Sequence, residues 1–356
     1  MNKNGFNTFI PDMMPSFDDT LIAELQKELS DSRKICLITH KKPDGDALGS
    51  MLALGSVLSK LGHDVTMFSP DAYPNFLLFL EGSEKIIQVD LETEESNILF
   101  SNADLIFCLD FNDLDRCGLA GGMIEQSDAT VVMIDHHLHP KKFAGLTFSF
   151  PDAAATAELV YHLIKRMNWR TYIGPSEASA LYCGIMTDTG SFRFNSMSGD
   201  LHQVIADLFT TGFNHTAVHE KIFDSFSESR LRLLGYSITE GMKINWEYRV
   251  AIIALSKDIL QKYQYKTGDS EGFVNYGLSI SGIEIAILLS ERENEVRISM
   301  RSRVDQDVRS IASEYFNGGG HKNAAGGVSK ISLESTIEKI EELLPEFVSK
   351  GYLKLL

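Results

Sequence analysis

Three apolar runs in the first 140 residues each end in a side chain that a hydrophobic core cannot hold unpaired. KICLITH (34–40) ends in His40, DLIFCLD (104–110) in Asp110, and TVVMIDHH (130–137) in Asp135, His136 and His137. Their near-continuous apolar character, with helix-like segments between them, predicts buried parallel strands rather than half-exposed antiparallel ones. In an open parallel sheet, ligands bind outside the carboxyl ends of the strands. Three polar ends on one edge of such a sheet gather in space. Taken alone, an Asp-His-His triplet reads as a strand end with surface imidazoles, since each buried polar group needs a partner. The other two ends change that reading.

The rest of the chain extends the same pattern. DVTMFSP (64–70) is a further short strand, and a helical pattern follows the first run with Leu48, Leu52, Val57, Leu58 and Leu61. Helices are also predicted at about 156–168, through Leu159, Leu163, Ile164 and Met167, and at about 177–187, through Ala178, Leu181, Tyr182 and Ile185. The fold class is α/β, with an N-terminal open, mainly parallel sheet flanked by helices. The stretch 200–245 reads as entirely helical and serves as a connector. RVAIIALS (249–256), IEIAILLS (283–290) and EVRISMRS (295–302) read as strands, with helices near 305–316 and 333–348. This second part is a smaller α+β domain. The expected division is a tail over 1–15, a catalytic metal-binding domain over 16–205, a helical linker over 206–243 and a substrate-binding domain over 244–356.

Composition narrows the function classes. The formal net charge is −16, which disfavours wrapping long double-stranded nucleic acid, because that task needs a basic face to release counterions. A small anionic ligand can still be taken by a local cluster. No apolar run approaches the ~20 residues that span a membrane, and the start MNKNGFNTFIPDMMPSF lacks the pattern of a secretory signal. The four cysteines, at 36, 108, 117 and 183, form no CxxC pair. Cys36 and Cys108 sit in apolar runs and read as small buried thiols. A reduced, cytoplasmic protein without a membrane partner is expected.

The chemistry lies at the strand ends. After His40 the chain reads KKPDGDA: Pro43 breaks regularity, Gly45 permits a tight turn, and Asp44 and Asp46 precede a helix whose N-terminus favours negative charge. By itself this is an Asp-rich helix cap. In GIMTDTGSFRF (184–194), Asp188 leaves an apolar helix at a turn containing Gly190. Together the candidates are two imidazoles and four carboxylates: His40, His136, Asp44, Asp46, Asp110 and Asp188. Mixed oxygen and nitrogen donors suit Mn²⁺, with Mg²⁺, Co²⁺ and Zn²⁺ also compatible, and the absence of thiolate argues against a structural zinc. Six ligands exceed what one ion with an open position needs. A pair of divalent ions about 3.5–4 Å apart, sharing one carboxylate, fits them and activates water for in-line displacement at phosphorus. An aspartyl-phosphate mechanism on Asp110 fails locally, because Asn112 occupies the position of its second Asp. In the second part, EVRISMRSR alternates Val296, Ile298 and Met300 against Arg297, Ser299, Arg301 and Arg303. NGGGHKNAAGGV (317–328) is a glycine-rich loop without P-loop spacing, in which backbone N–H groups can approach an anion.

The order H-x₃-D-x-D, D, D-H-H, D resembles the DHH phosphoesterase superfamily, over roughly residues 20–345. The resemblance implies one metal on His40, Asp44 and Asp110 and a second on Asp46, Asp110, His136 and Asp188. It also implies that His137 faces the scissile phosphate as a catalytic residue and that Asp135 orients its neighbours. The arginine strand and GGGH loop resemble the DHH-associated C-terminal domain, which implies substrate binding by Asn275, Arg301, Gly319, Gly320 and His321 and an active site in the interdomain cleft. The two-domain layout is similar to the bifunctional enzymes that hydrolyse short oligoribonucleotides and 3′-phosphoadenosine 5′-phosphate, rather than to family II pyrophosphatases or RecJ exonucleases. The implied cofactor is two Mn²⁺ ions, and the implied partners are short RNA or a nucleoside bisphosphate. A homodimer is compatible with the same set. A phosphodiesterase for cyclic or linear dinucleotides shares these motifs, and a non-catalytic nucleotide sensor is the rival of another class. Arg193 reads equally as a phosphate contact or a structural ion pair, while His139, His215 and His219 read as surface histidines.

Overall fold

A computed structural model describes residues 17–88, 98, 100–193 and 197–355. The tail assigned to 1–15 lies outside them. The chain forms two compact units, Met1–Ser225 and Phe226–Leu356.

In the first unit the apolar runs become strands β1 (Lys34–Ile38), β2 (Asp64–Ser69), β3 (Ile87–Gln88), β4 (Leu105–Leu109), β5 (Thr130–Asp135) and β6 (Leu146–Ser149). They form one sheet in the order β3-β2-β1-β4-β5-β6, and every pairing is parallel. The central strands are buried on both faces, which explains their lack of polar alternation. Leu37, Phe107, Leu109, Val132 and Ile134 point into the larger core, together with the helices Gly45–Lys60, Thr156–Arg166 and Pro175–Asp188. Cys36, Ile38, Ile106, Cys108 and Val131 point into a second cluster around Phe68, Phe100 and Phe111. β3 and β6 carry too few apolar residues to stand out in the sequence and are held at the two sheet edges by pairing. The strand order reverses between β1 and β4, the place where an open sheet splays its connections apart and leaves a crevice. His40 and Asp110 follow these two strands.

The second unit carries β7 (Met242–Asn245), β8 (Val250–Leu255), β9 (Ile285–Glu291), β10 (Val296–Ser302), β11 (Gly319–His321) and β12 (Ala324–Ser329). Their order is β11-β12-β10-β9-β8-β7. Only β8 and β9 pair in parallel, and the other pairings are antiparallel. One face packs Ile285, Ile287, Leu289, Ile298 and Met300 on the helices Val308–Tyr315 and Leu333–Ser349. The other packs Ile253, Leu255, Ala286 and Leu288 on Glu228–Thr239 and Phe273–Leu278.

Two readings need correction. The stretch 200–245 is not helical throughout: helices Gly199–Phe209, His215–Phe223 and Glu228–Thr239 are followed by β7. Gly241 ends the last helix and its carbonyl accepts the Ala254 N–H, so pairing with β8 turns a polar, strand-neutral segment into an edge strand. The glycine-rich stretch 317–328 is a β-hairpin rather than a loop, with Gly319 opposite Gly326 and His321 opposite Ala324. Small residues admit this close pairing, since a Cβ at Gly320, where φ is 136°, would stand 2.8 Å from Ala325 Cα. No helix among the described residues is long and apolar enough to cross a membrane.

Candidate active site

The six candidate metal-binding side chains come from five strand or helix ends of the first unit. His40 follows β1, Asp110 follows β4, and His136 follows β5. Asp44 caps the helix Gly45–Lys60, accepting the Asp46 and Ala47 N–H groups at 3.0 and 3.1 Å. Asp46 lies in the first turn of that helix, and Asp188 is the last residue of Pro175–Asp188. The two helices approach backbone to backbone, because Gly184 has no side chain: a Cβ there would stand 3.0 Å from Asp46 Oδ1 and 3.3 Å from Asp46 Cα.

Three sets of donor atoms, each within 4.8 Å of one another, could hold a metal ion: His40, Asp44 and Asp110; Asp46, His136 and Asp188; and Asp110, His136 and His137. Asp110 joins the first and third. Its Oδ2 lies 3.2 Å from His40 Nε2, while its Oδ1 lies 3.7 Å from His136 Nε2. His136 Nε2 is also 3.3 Å from Asp188 Oδ2. Asp110 adopts a positive φ of 65° with its N–H donated to Ile134 O at 3.0 Å. A non-glycine residue in that region is strained, a feature that concentrates at functional sites.

The hydrogen bonds select the tautomers. His40 Nδ1 lies 2.8 Å from Lys41 O and His136 Nδ1 lies 3.1 Å from Ala153 O. A carbonyl only accepts, so each Nδ1 carries a proton, and Nε2, which faces the carboxylates, is the nitrogen left to bind a metal ion. This is the arrangement of a metal-ligating histidine held by a backbone partner. His137 differs. Its Nδ1 donates to Asp135 Oδ1 at 2.7 Å and its backbone N–H to Asp135 Oδ2 at 2.8 Å, so fully buried Asp135 orients His137 rather than His136.

Electrostatics show what the donor set needs. Burial, followed by the charges of Asp110, Asp188 and Asp44, drives the Asp46 carboxyl well above its ordinary value. Burial likewise pushes Asp188 up to about 7, with Asp110 and Asp44 adding to it against the pull of His136. Burial opposes a negative Asp110 as well, but the His40, His136 and His137 imidazoles outweigh it and hold that carboxyl below the usual range. Burial disfavours charge on His40, yet Asp110 and Asp44 raise it to about 9. Four crowded carboxylates with two imidazole Nε2 atoms aimed at them form a set that positive charge stabilises, and divalent cations fit it.

In the second unit, Arg301 lies directly opposite Ala324 on one side and Ala286 on the other, and His321 is opposite Ala324. Directly opposed residues share a sheet face, so Arg301 and His321 stand on one face. The helix Phe273–Leu278, which bears exposed Asn275, packs on that same face through Ala286. Burial lowers the Arg301 pKa, opposed by the charge of Glu271. Arg303 lies beyond the end of β10 and donates to Ile283 O and Leu278 O, each at 3.0 Å. Gly319 and Gly320 belong to β11.

Arg193 is exposed and donates from Nε to Gly190 O at 2.7 Å. His139 and His215 are exposed. His219, read as a surface residue, is half-buried and lies 2.9 Å from Tyr182 Oη, because the helix His215–Phe223 packs it inward. Sequence reasoning also missed Thr156 and Ala157. Asp46 accepts the Thr156 N–H at 2.6 Å and the Ala157 N–H at 2.8 Å, while Thr156 Oγ1 donates to Asp110 Oδ1 at 2.9 Å. The available signal was a threonine at a helix start, which reads only as a cap.

Comparison with known proteins agrees with this architecture. Residues 34–185 match the DHH family N-terminal domain and residues 248–350 the DHHA1 domain. The chain is 30% identical over 337 residues to a Thermus thermophilus protein named bifunctional oligoribonuclease and PAP phosphatase NrnA, covering 94% of this chain and 95% of that one. A Geobacillus thermodenitrificans cyclic-di-AMP phosphodiesterase, GdpP, is 26% identical, and the match covers 92% of this chain but 49% of that protein. The crystal structure of an exopolyphosphatase-related protein from Bacteroides fragilis superposes with a TM-score of 0.91 at 37% identity, covering 94% of this chain and 98% of that one. With both domains matched and the strand-end histidines and aspartates gathered at one sheet edge, the chain belongs to the DHH family of phosphoesterases.

Proposed function

We propose that this chain is a manganese-dependent phosphohydrolase that cleaves short oligoribonucleotides and removes the 3′-phosphate of 3′-phosphoadenosine 5′-phosphate. The observation that carries the reading is Asp110, whose two carboxylate oxygens are directed toward different histidines, His40 and His136. In this reading His40, Asp44 and Asp110 hold one ion, and Asp46, Asp110, His136 and Asp188 hold the other. When bound, the pair supplies an activated water and charge stabilisation for in-line displacement at phosphorus.

The residues of the chain do the rest. Asp135 fixes the His137 ring through Nδ1, and His137 then holds or delivers a proton at Nε2 beside the leaving oxygen. In the second unit, Arg301 carries fixed positive charge for a substrate phosphate, and His321, Gly319, Gly320 and Asn275 complete the grip on the nucleotide. The similarity to the NrnA proteins supports this substrate class. The division into a catalytic domain over 16–205, a linker over 206–243 and a substrate domain over 244–356 belongs to the same proposal. Burial of all four cysteines, none of them in a CxxC pair, supports a reducing, cytoplasmic setting.

Similarity to GdpP supports a second reading, a phosphodiesterase for cyclic or linear dinucleotides. One panel separates the two: purified protein with Mn²⁺ against a ribodinucleotide, a five-mer, cyclic di-AMP and 3′-phosphoadenosine 5′-phosphate. The proposal expects the highest kcat/KM on the dinucleotide or five-mer, with measurable phosphate release from the bisphosphate. A clear preference for the cyclic substrate overturns it in favour of the second reading. Binding without cleavage of any member identifies a sensor.

A further inference from the structure

Three residues at or just before the start of the helix Thr156–Arg166, namely Ala153, Thr156 and Ala157, touch three of the six candidate ligands without belonging to the set. Ala153 O accepts from His136 Nδ1 at 3.1 Å, and the Thr156 and Ala157 N–H groups donate to Asp46 Oδ2 and Oδ1 at 2.6 and 2.8 Å. The first N–H groups of a helix have no partner within it, and here the capping position is Ala155, which offers no side-chain acceptor. Asp46, from another helix, caps this one. The Thr156 hydroxyl is therefore not used as a cap and donates instead to Asp110 Oδ1 at 2.9 Å.

That bond sets an orientation. An ionised carboxylate only accepts, so the hydroxyl proton is committed to Oδ1. Rotation about the last torsion of an aspartate is soft, and nothing in the strand pairing of β4 fixes it. With Oδ1 held by Thr156, Oδ2 stands 3.2 Å from His40 Nε2 and Oδ1 stands 3.7 Å from His136 Nε2. Thr156 thus contacts both the carboxylate shared by the two sets and, through its backbone, Asp46 of the second set.

We propose that Thr156 is a positioning residue that holds the Asp110 carboxylate with one oxygen directed to each half of a two-ion site. The inference rests on the two-metal reading above. Thr156→Val keeps the shape and the backbone N–H to Asp46 and removes only the hydroxyl, while Thr156→Ser restores it. Thr156→Ala gives the same comparison should the valine disturb packing.

The test is manganese titration by calorimetry, with electron paramagnetic resonance of the loaded protein and thermal melting in EDTA. Wild type is expected to bind two ions per chain with a spin-coupled spectrum. Thr156→Val is expected to melt normally in EDTA, to weaken binding of the second equivalent about 10–100-fold, and to lose the coupled spectrum. Thr156→Ser is expected to recover both. Wild-type affinities and coupling in Thr156→Val, or a serine variant that behaves like valine, overturn the inference. A wild-type protein that binds no manganese pair overturns the two-metal reading instead.

Discussion

Gly49→Ala tests whether backbone contact between two helices, rather than local helix preference, governs the stability of the first unit. Gly49 lies inside the buried helix Gly45–Lys60. On propensity alone, alanine in a helix interior stabilises by ~1 kcal/mol. The structure reverses the sign. A Cβ at Gly49 would overlap Ala180 O and stand 3.1 and 3.2 Å from Gly184 N and Cα, all backbone atoms of the helix Pro175–Asp188. Backbone cannot swing aside as a side-chain tip can, so the helices must part. Overpacking costs about 1–3 kcal/mol, and an obstacle made of backbone puts this site in the upper part of that range, ~2–3 kcal/mol, which leaves a net loss of ~1–2 kcal/mol after the propensity gain. For a unit of this size that is a fall of roughly 2–8 °C in Tm. Parting the helices also separates Asp46 from Asp188, so manganese affinity should fall with stability. Gly235→Ala is the control. Gly235 is exposed on the helix Glu228–Thr239, a Cβ there meets nothing within 4 Å, and the same substitution should stabilise the second unit by ~0.5–1 kcal/mol. Differential scanning calorimetry of the two variants with EDTA reads both effects. A Gly49→Ala protein as stable as wild type, alongside a stabilised Gly235→Ala, would refute the close-packing argument.

The other expectations are more direct. Asp110→Ala removes the carboxylate that faces three imidazoles and should lower kcat by about a thousandfold or more, several kcal/mol of transition-state stabilisation, with circular dichroism unchanged; near-normal turnover sinks the shared-carboxylate scheme. Arg301→Ala should raise KM about tenfold or more, a loss of ~1.5–3 kcal/mol from a charged hydrogen bond, while metal content by elemental analysis stays at the wild-type level. Buried His162 has its pKa lowered to about 4, by burial first and by Lys165 next, and its Nε2 has no hydrogen-bond partner among the described residues. Its folded pKa lies below its unfolded one, so the native state binds fewer protons between them. Stability is therefore lost as pH falls from ~6.5 towards 4, at ~1.4 kcal/mol per pH unit. Urea melts should show His162→Leu losing ~2 kcal/mol less than wild type between pH 7.5 and pH 5, and parallel losses would show that His162 is protonated in the fold.

Much of the architecture was legible because its signals are local. Apolar runs too long and continuous for a half-exposed strand became β1, β4 and β5 at the residues expected, since hydrophobic content and period act within a few residues. The polar ends of those runs were legible for the same reason: a chain that places His40, Asp110 and His136 straight after buried strands must gather them if the strands are parallel neighbours. Where local signal was thin, the sequence was silent or misleading. β7 and the hairpin of β11 and β12 exist because neighbouring strands offer hydrogen bonds, and no local preference announces that.

The residue types, their order along the chain and the identity of the candidate ligands were thus determined by the sequence alone. Tertiary structure decided the rest. It places the switch in strand order between β1 and β4, lets two helices touch at Gly49 and Gly184, and assigns the proton of each histidine through the carbonyls of Lys41 and Ala153. It gives Asp135 to His137 and aims Thr156 at Asp110. Those relations join groups far apart in the chain, 110 residues for Thr156 and Asp46, and a hydrogen bond requires its two partners within about 3 Å, a condition that only the completed packing can meet.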